Sequence, residues 1–478
     1  MPSAASKQPP KLEQMKSLIG ECEDWFMPDR SYAAEKRSFE YQAQNVKHGE
    51  SPFTEQQLET LADRVAAMYP STPSRQWSHS TLLHSLRVAI SNLKRDASPG
   101  YPYMRWGRLN GDLLDTLGEE WLVGLAYIRM IRLLTTPSDE LKSLSARELV
   151  EKGYVDPVRL FVKNELHSGK KVQQGRFRLI MSVSVVDQLV DRVLSSRQNS
   201  TEIDAWKTIP SKPGMGLNDD GLEALDVTFN AMRLPAATDM SGWDWTVKFW
   251  MLWLEATIRG KLGGESKRGG KWDTAYHRRT VCIGRSLFIF TDGEMREQLI
   301  PGVVKSGLYN TSSGNSRIRA TLHVCLPYLL GMELPKELVR VSTMGDDCVE
   351  DLYLISVYTG LVGDELMNFV QNLYTQLGVS VKEITLGHPV EFCAYKFHGF
   401  ASFEPVRWNK MVATFAASWP VPCNMGERKH ALMYELRHSP HKDRVLEAIE
   451  TLELAAPSGG GGANQAANTA ANTHTHGS

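Results

Sequence analysis

The chain has 478 residues, 42% of them hydrophobic and 23% charged, proportions ordinary for a soluble folded protein and too much chain for one small core. Its 54 Lys and Arg nearly cancel its 55 Asp and Glu, which excludes a uniformly basic or acidic binding protein but leaves room for a local basic groove. The six cysteines (Cys22, Cys282, Cys325, Cys348, Cys393 and Cys423) show no C-x-x-C spacing, against a structural zinc site or a disulfide-stapled secreted fold, and neither a signal-peptide core nor an apolar run of about 18 residues is visible.

To about residue 96, polar helical segments alternate with loops. "TEQQLETLADRVAAMY" has apolar residues at helical spacing, with Thr54 as N-cap. "SPGYPYM", from Ser98 to Met104, is a Gly/Pro loop rich in aromatics. "DLLDTLGEEWLVGLAYIRMIRLL" reads as helices, "PVRLFVKNEL" as a strand, and "RFRLIMSVSV" as a second strand after a basic loop. "VVDQLVDRVLSSRQ" returns to helical period, and "NDDG" at Asn218 to Gly221 reads as a polar loop. "LPAATDMSGWDWTVKFWMLWLEATI" goes strand, turn, helix; its greasiest part contains Lys248 and Glu255 and reads as a buried amphipathic helix. A hairpin is expected around Asp292-Gly293, then a helix in "TSSGNSRIRATLHVCLPYLL". In "VRVSTMGDDCVEDLYLISV" a strand is expected on each side of Asp346-Asp347. A helix ("GDELMNFVQNLYTQLG"), short strands ("VSVKEIT", "PVEFCAYKFHGF") and a mostly helical region after about 405 follow. The low-complexity tail is expected to be disordered, and His474 and His476 within it are not read as a metal site. The order of elements predicts an α+β fold, a sheet core with helical insertions.

Four groups of residues carry chemistry. Gly345-Asp346-Asp347 fits a hairpin turn, yet two adjacent carboxylates repel and add nothing to packing. Asp239 ends a short strand, and Asp244 follows five residues later. If Asp239 and Asp346 meet across adjacent strands, their repulsion calls for cations. Two Mg²⁺ ions about 3.5–4 Å apart are one solution, and oxygen-only ligands suit that hard ion. In "KSGLYNTSSGNSRIR", Ser306, Gly307, Thr311 and Asn315 bring small and hydroxyl side chains to a loop that runs into a helix. They suit close approach to a ribose, whose 2′-hydroxyl separates RNA from DNA. From Arg159 to Arg178 six cations (Arg159, Lys163, Lys170, Lys171, Arg176 and Arg178) stand against one acid, Glu165. The alternation in "GRFRLI" is expected to put Arg176 and Arg178 on one strand face, where phosphate is the natural partner.

In order the chain carries "SPGYPY", "KNELHSGKKVQQGRFRLI", "DMSGWD", "SGLYNTSSGN", "MGDD" and "EFCAYKF". This series resembles motifs G, F, A, B, C and E of positive-strand RNA virus RNA-dependent RNA polymerases, with phrasing most similar to the sobemovirus and polerovirus group. It runs from about Ser98 to Phe397, nearly two-thirds of the chain.

The resemblance implies a right-hand fold with an antiparallel palm sheet. Fingers with an N-terminal extension would span 1–235, palm 236–260 and 301–400, a fingers insertion 261–300, thumb 401–456, and the tail 457–478. It implies metal-binding roles for Asp239 and Asp346, with Asp347 as a weaker companion. Asp244 and Asn315 would sense the ribose, while Ser306, Gly307 and Thr311 would fit nucleotide and template. Lys163, Arg176 and Arg178 would cover the triphosphate, and Ser98, Pro99, Gly100 and Tyr101 the template entrance. Lys382 is the candidate general acid. Residue 344 is Met where many relatives have Tyr, a position expected to pack beneath the turn. The implied cofactor is Mg²⁺, two ions, with Mn²⁺ as a substitute. Implied partners are template and nascent RNA, NTPs, a genome-linked priming protein, and viral or host replication proteins. The implied place is the host cell cytoplasm, at membrane-associated replication complexes reached through partners. A reverse transcriptase would carry an aromatic steric gate where this chain has Asp244. A two-metal nuclease would not need the Ser-Gly-Thr-Asn loop.

Overall fold

The β-branched and aromatic runs between Gly and Pro punctuation form the strands. In the computed structural model, which describes residues 8–72, 76–263 and 270–456, they are β1 (Trp25–Phe26), β2 (Val158–Val162), β3 (His167–Ser168), β4 (Leu179–Ser182), β5 (Pro235–Met240), β6 (Leu287–Ile289), β7 (Met295–Glu297), β8 (Val341–Met344), β9 (Asp347–Asp351), β10 (Val381–Leu386), β11 (Val390–Phe392), β12 (Tyr395–Gly399) and β13 (Ser402–Pro405). Residues 457–478, and with them His474 and His476, lie outside the described residues. The protein mixes helices with several small sheets. One sheet, ordered β10-β5-β9-β8, is antiparallel throughout. A second, β4-β2-β6-β7, contains one parallel pair, β2 with β6. β11, β12 and β13 form a meander, and β1 pairs with β3.

The antiparallel sheet shows the period of two that strands impose. On β9, Cys348 clusters with Ala320 of helix Thr311–Leu329. Val349 faces the other way, onto Phe229, Phe392 and Phe397. Helices Glu55–Ala66, Phe249–Leu262, Thr311–Leu329 and Gly363–Leu377 contribute to the largest core cluster, which also takes Ala236, Met240 and Ile384 of the sheet. Thr54 caps its helix with a reciprocal capping box to Gln57, as its sequence indicates.

The chain divides into two compact units. One runs from Trp25 to Arg407; the other combines Gln8–Asp24 with the chain from Trp408 on. In the second unit, helix Pro10–Ile19 buries Leu12, Met15 and Ile19. It packs with helices Trp408–Ala417 and Lys442–Leu454, and Trp408 stacks on His441 at 4.0 Å between ring centroids.

Three local expectations are corrected. The run after Asp346-Asp347 is strand only to Asp351; Tyr353–Thr359 is a helix that buries Ile355. Its β-branched and aromatic composition suggests a strand, but packing decides. "NDDG" is the start of helix Asp219–Asn230, with the Asn218 side chain accepting from the Gly221 N–H at 2.9 Å. Asn and Asp suit N-caps as well as loops. Arg176 and Arg178 precede β4, which begins at Leu179, so no strand face carries them.

Beneath the sheet a buried carboxylate ties four elements together. Glu350 of β9 accepts from Thr238 Oγ1 of β5 at 2.7 Å and from Tyr374 Oη at 2.7 Å, and His323 Nδ1 lies 2.8 Å away. Arg319 is 3.7 Å away. Burial alone would raise the Glu350 pKa. Arg319, then the His323 and Tyr374 hydrogen bonds, outweigh it and hold the pKa at about 2. Because the folded pKa is depressed, Glu350's contribution is complete above its ordinary value of 4.5 and is lost as pH falls toward 2. Glu350→Ala leaves Arg319 buried without its counter-charge, and a loss of about 3–5 kcal/mol is expected. Thermal unfolding followed by tryptophan fluorescence at neutral pH checks this; an unchanged midpoint would refute the hub.

Candidate active site

Asp239 is the penultimate residue of β5. The register pairs Pro235 with Asp351, Ala236 with Glu350 and Ala237 with Val349, so two residues further on Asp239 comes level with Asp347. The β8–β9 hairpin closes at the Met344–Asp347 pair and leaves Gly345 and Asp346 as a two-residue loop. Gly345 has φ 62°, the left-handed conformation such loops need and glycine adopts without strain. Met344 is half-buried against the cluster under the hairpin, the place expected for it.

The carboxylates act on one another. Burial first, and then the Asp239 charge, raise the pKa of Asp346. Burial and the Asp346 charge push Asp347 up to about 6, against the pull of Arg407 and of the Cys393 N–H. Asp244 is also raised to about 6, by burial and then by Asp346, with Asn315 and Arg178 pulling it down. The structure therefore brings Asp239, Asp244, Asp346 and Asp347 together. Lys382 joins them, its Nζ 2.9 Å from Asp239 Oδ2. As the side chains stand, the described residues contain no group of three or more His, Cys, Asp or Glu that could hold a metal ion. The donor set itself suits a hard divalent cation: it is all carboxylate oxygen, and neighbouring charge raises the pKa of Asp244, Asp346 and Asp347.

Asn315, on the first turns of helix Thr311–Leu329, donates from Nδ2 to Asp244 Oδ1 at 3.2 Å and accepts at Oδ1 from the Trp243 indole N–H at 3.0 Å. The next residue, Ser316, accepts at Oγ from the Gly345 N–H at 2.8 Å, and its carbonyl accepts from Thr343 Oγ1 at 2.7 Å. The carboxylate turn is thus fastened to the helix that carries Asn315. A third fastening is backbone: the Cys393 N–H donates to Asp347 Oδ2 at 3.2 Å. Cys393 and Ala394, the turn between β11 and β12, both have positive φ.

The loop before the helix is built tightly against β4. Ser306 Oγ accepts from the Met181 N–H at 3.1 Å. A Cβ on Gly307 would fall 2.1 Å from the Met181 carbonyl oxygen, so only glycine fits. Thr311 Oγ1 donates to the Lys305 and Leu308 carbonyls, both at 2.9 Å. Asn310 bonds Ser195 and Asn199 of helix Val185–Asp204.

Arg178 reaches electrostatically to both Asp244 and Asp346. In this structure its guanidinium pairs with Glu165 at 2.9 Å, and Lys163 pairs with the same Glu165 at 3.2 Å. Arg176 instead lies over the Tyr41 ring at 5.4 Å, so the two arginines diverge around the buried Phe177. Ser98, Pro99, Gly100 and Tyr101 pack on the start of helix Val185–Asp204. The Val185 N–H donates to the Pro99 carbonyl at 2.8 Å, and a Cβ on Gly100 would come 3.0 Å from Ser184 Cα. Tyr101 Oη accepts from Arg105 at 3.0 Å.

Sequence reasoning missed Trp243, Ser316 and the Cys393 N–H. The first two had a signal, since each directly adjoins a candidate residue. It also missed a cleft of about 780 Å³ whose lining includes His84, Arg192, Arg197, Trp272 and Tyr309, and no Asp or Glu among the described residues. The Arg192 guanidinium lies 4.6 Å from the Tyr309 ring centre.

A family model described as viral RNA-directed RNA-polymerase matches residues 6–227 and 230–419. The RNA-directed RNA polymerase of mushroom bacilliform virus is 36% identical over 74% of this chain and 81% of its own length. Replicase polyprotein P2AB of southern bean mosaic virus is 37% identical over 72% of this chain and 35% of its own. Protein P1-P2 of potato leafroll virus is 35% identical over 76% of this chain and 33% of its own. The chain thus spans about a third of each of these two longer relatives. By sequence likeness running through all the elements that carry the site, the chain belongs to the viral RNA-directed RNA polymerases.

Proposed function

We propose that the chain copies template RNA into RNA by phosphoryl transfer from NTPs to the RNA 3′-hydroxyl, with the antiparallel sheet as the palm of a right hand. In that layout residues 236–260 and 301–400 are palm, 25–235 and 261–300 supply fingers, and the thumb is 408–456 together with Gln8–Asp24, while β13 stays with the palm meander. The observation that carries this reading is the meeting of Asp239, Asp244, Asp346 and Asp347, with Asn315 bonded to Asp244.

Asp239 and Asp346, with Asp347 beside them, are the groups to hold magnesium, or manganese in its place. Two such ions supply Lewis-acid activation of the 3′-hydroxyl and stabilise the leaving pyrophosphate. Asp244 presents an acceptor and Asn315 a donor to the ribose 2′-hydroxyl. Arg178 and Lys163 would leave Glu165 for the triphosphate, since a multiply charged phosphate competes well for arginine. Arg176, over Tyr41, would flank them. Ser306, Gly307 and Thr311 fix the loop against which nucleotide and template lie. Lys382, 2.9 Å from Asp239, would donate a proton to the leaving group. The chain supplies position and charge rather than a covalent intermediate.

Template RNA would enter by Ser98, Pro99, Gly100 and Tyr101. The acid-free cleft of Arg192, Arg197 and Tyr309 combines cations with an aromatic face, as single-strand sites do. Among the described residues no helix is long and apolar enough to cross a membrane. We take work at membrane-associated replication complexes in the host cytoplasm to go through viral or host replication proteins. Synthesis would start either on a genome-linked protein or without a primer.

Asp346→Ala is expected to keep RNA affinity within about twofold while nucleotide addition on a poly(rC) template falls about a hundred- to a thousandfold, the scale of removing a key electrostatic group. Extension assays with Mg²⁺, Mn²⁺ or a chelator, with and without primer, read this directly. Metal-dependent synthesis persisting in the variant would falsify the assignment. For the cleft, Arg192→Gln with Arg197→Gln is expected to weaken single-stranded RNA binding. It should also flatten the slope of log affinity against log salt by about 0.7 for each phosphate contact removed. Fluorescence anisotropy at several salt concentrations measures it; an unchanged slope takes RNA out of the cleft.

A further inference from the structure

We infer that Trp243 is a specificity-determining residue, acting by locking the amide of Asn315 in the one orientation that presents its N–H group to Asp244. The inference rests on the reading of Asp244 and Asn315 as the ribose sensor and deepens it.

An asparagine amide can turn over by 180° about its last bond, exchanging a donor for an acceptor at little intrinsic cost. A sensor built on it needs something to choose the orientation. Indole Nε1–H is a donor only, so the atom facing it must be the amide oxygen. Trp243 Nε1 lies 3.0 Å from Asn315 Oδ1, which turns Nδ2 toward Asp244 Oδ1 at 3.2 Å. Flipping the amide would set N–H against N–H at Trp243 and oxygen against carboxylate at Asp244, two buried losses at once. Trp243 and Asn315 are 3% and 5% exposed, so water does not stand in readily for the indole.

The backbone makes this possible. Gly242 takes a left-handed φ of 56° and starts the turn Trp243–Thr246. Successive residues of a helical turn point about 100° apart. Trp243 therefore enters the core cluster while the neighbouring Asp244 stays beside the carboxylates. The Asp244 carbonyl accepts from the Val304 N–H at 2.8 Å, holding this turn to the segment that leads into the Ser306–Thr311 loop. Trp243 touches no nucleotide in this scheme; it is a positioning residue.

The test is the ratio of NTP to dNTP incorporation opposite one template base, in purified full-length chain. Trp243→Phe keeps an aromatic ring and removes the N–H. The ratio is expected to fall about two- to tenfold, the range one neutral hydrogen bond commands. Total NTP turnover and the thermal midpoint should change far less than in a deletion of the site. Asn315→Ala should lower the ratio at least as far, and adding Trp243→Phe to it should lower it no further, because the indole acts only through the amide. Trp243→Tyr, which also lacks the indole N–H, serves if the Phe variant folds poorly. A packing defect slows both nucleotides alike and leaves the ratio standing. An unchanged ratio in the folded Trp243 variants overturns the inference while sparing the ribose sensor. So does an equal further loss on the Asn315→Ala background. An unchanged ratio in Asn315→Ala sinks the sensor itself, and this inference with it.

Discussion

Everything at the site depends on bringing carboxylates together where they repel. Two like charges about 4 Å apart repel by about 4 kcal/mol at an effective dielectric of about 20, a large part of the net stability of a typical fold. Locally, only the Asp346 backbone N–H eases that force, by bonding its own carboxylate. The hairpin tip is held from outside: by the β5–β9 ladder, by Ser316 on the Gly345 N–H, and by the Cys393 N–H on Asp347. The sheet resists because it is buried on both faces, and Glu350 pins β9 to β5 and to two helices from below. Below the sheet the acid is compensated and its pKa lies low. Above it the acids are only partly compensated and their pKa values lie high. That contrast separates a structural carboxylate from the carboxylates that, in the proposed reading, would hold a cation.

The same logic sets the frame around the loop of Ser306 and Thr311. Arg317 pairs with Glu202 and Glu255, Arg259 with Glu255, and Arg259 also donates to Asn199 and Ser313. These buried pairs join helices Val185–Asp204, Phe249–Leu262 and Thr311–Leu329. Such pairs add little net stability over apolar packing, but removing one partner is expensive. Their effect is to fix register: a helix slipped by one residue would strand a buried charge. A second set does the same nearer the start of helix Val185–Asp204, with Arg129 and Arg279 sharing Asp187, and Asp156 and Asp191 completing it. The Ser306–Thr311 loop, which in the proposed reading would accept nucleotide and template, is thereby hung between helices that cannot slide independently.

How much of this was legible in the sequence depended on the range of the determinant. The Thr54 cap, the Asp292-Gly293 hairpin and the helix of Thr311–Leu329 are written in neighbouring residues, and they form as read, with Gln57 completing the cap. The candidate acids could be picked out because their residue types recur in a fixed order along the chain. Three features depended on partners far away and were not legible. Tyr353–Thr359 has strand-like composition and becomes helix because Ile355 has a core to enter. The joining of Gln8–Asp24 to helices more than 380 residues later leaves no local pattern at all. Arg176 and Arg178 alternate as strand residues do, and the Arg178 carbonyl accepts from the Lys163 N–H at 2.8 Å just past β2, yet Tyr41 and Glu165 decide where their side chains point.

The adjacency of Asn315 and Ser316 is the point at which fold and specificity meet. Both are near the start of one helix, and consecutive helical side chains diverge by about 100°. One therefore reaches Asp244 at the end of the β5 turn while the other reaches Gly345 at the tip of the β8–β9 hairpin. A small rotation of that helix cannot favour one contact without straining the other. Asn315 is further held by Trp243, and Ser316 by Thr343. The group that would read the sugar and the turn that would hold the ions are thus fixed by successive residues of one rigid element. Moving the backbone of Asn315 would therefore move Ser316, and with it the Gly345 turn, through a single peptide bond.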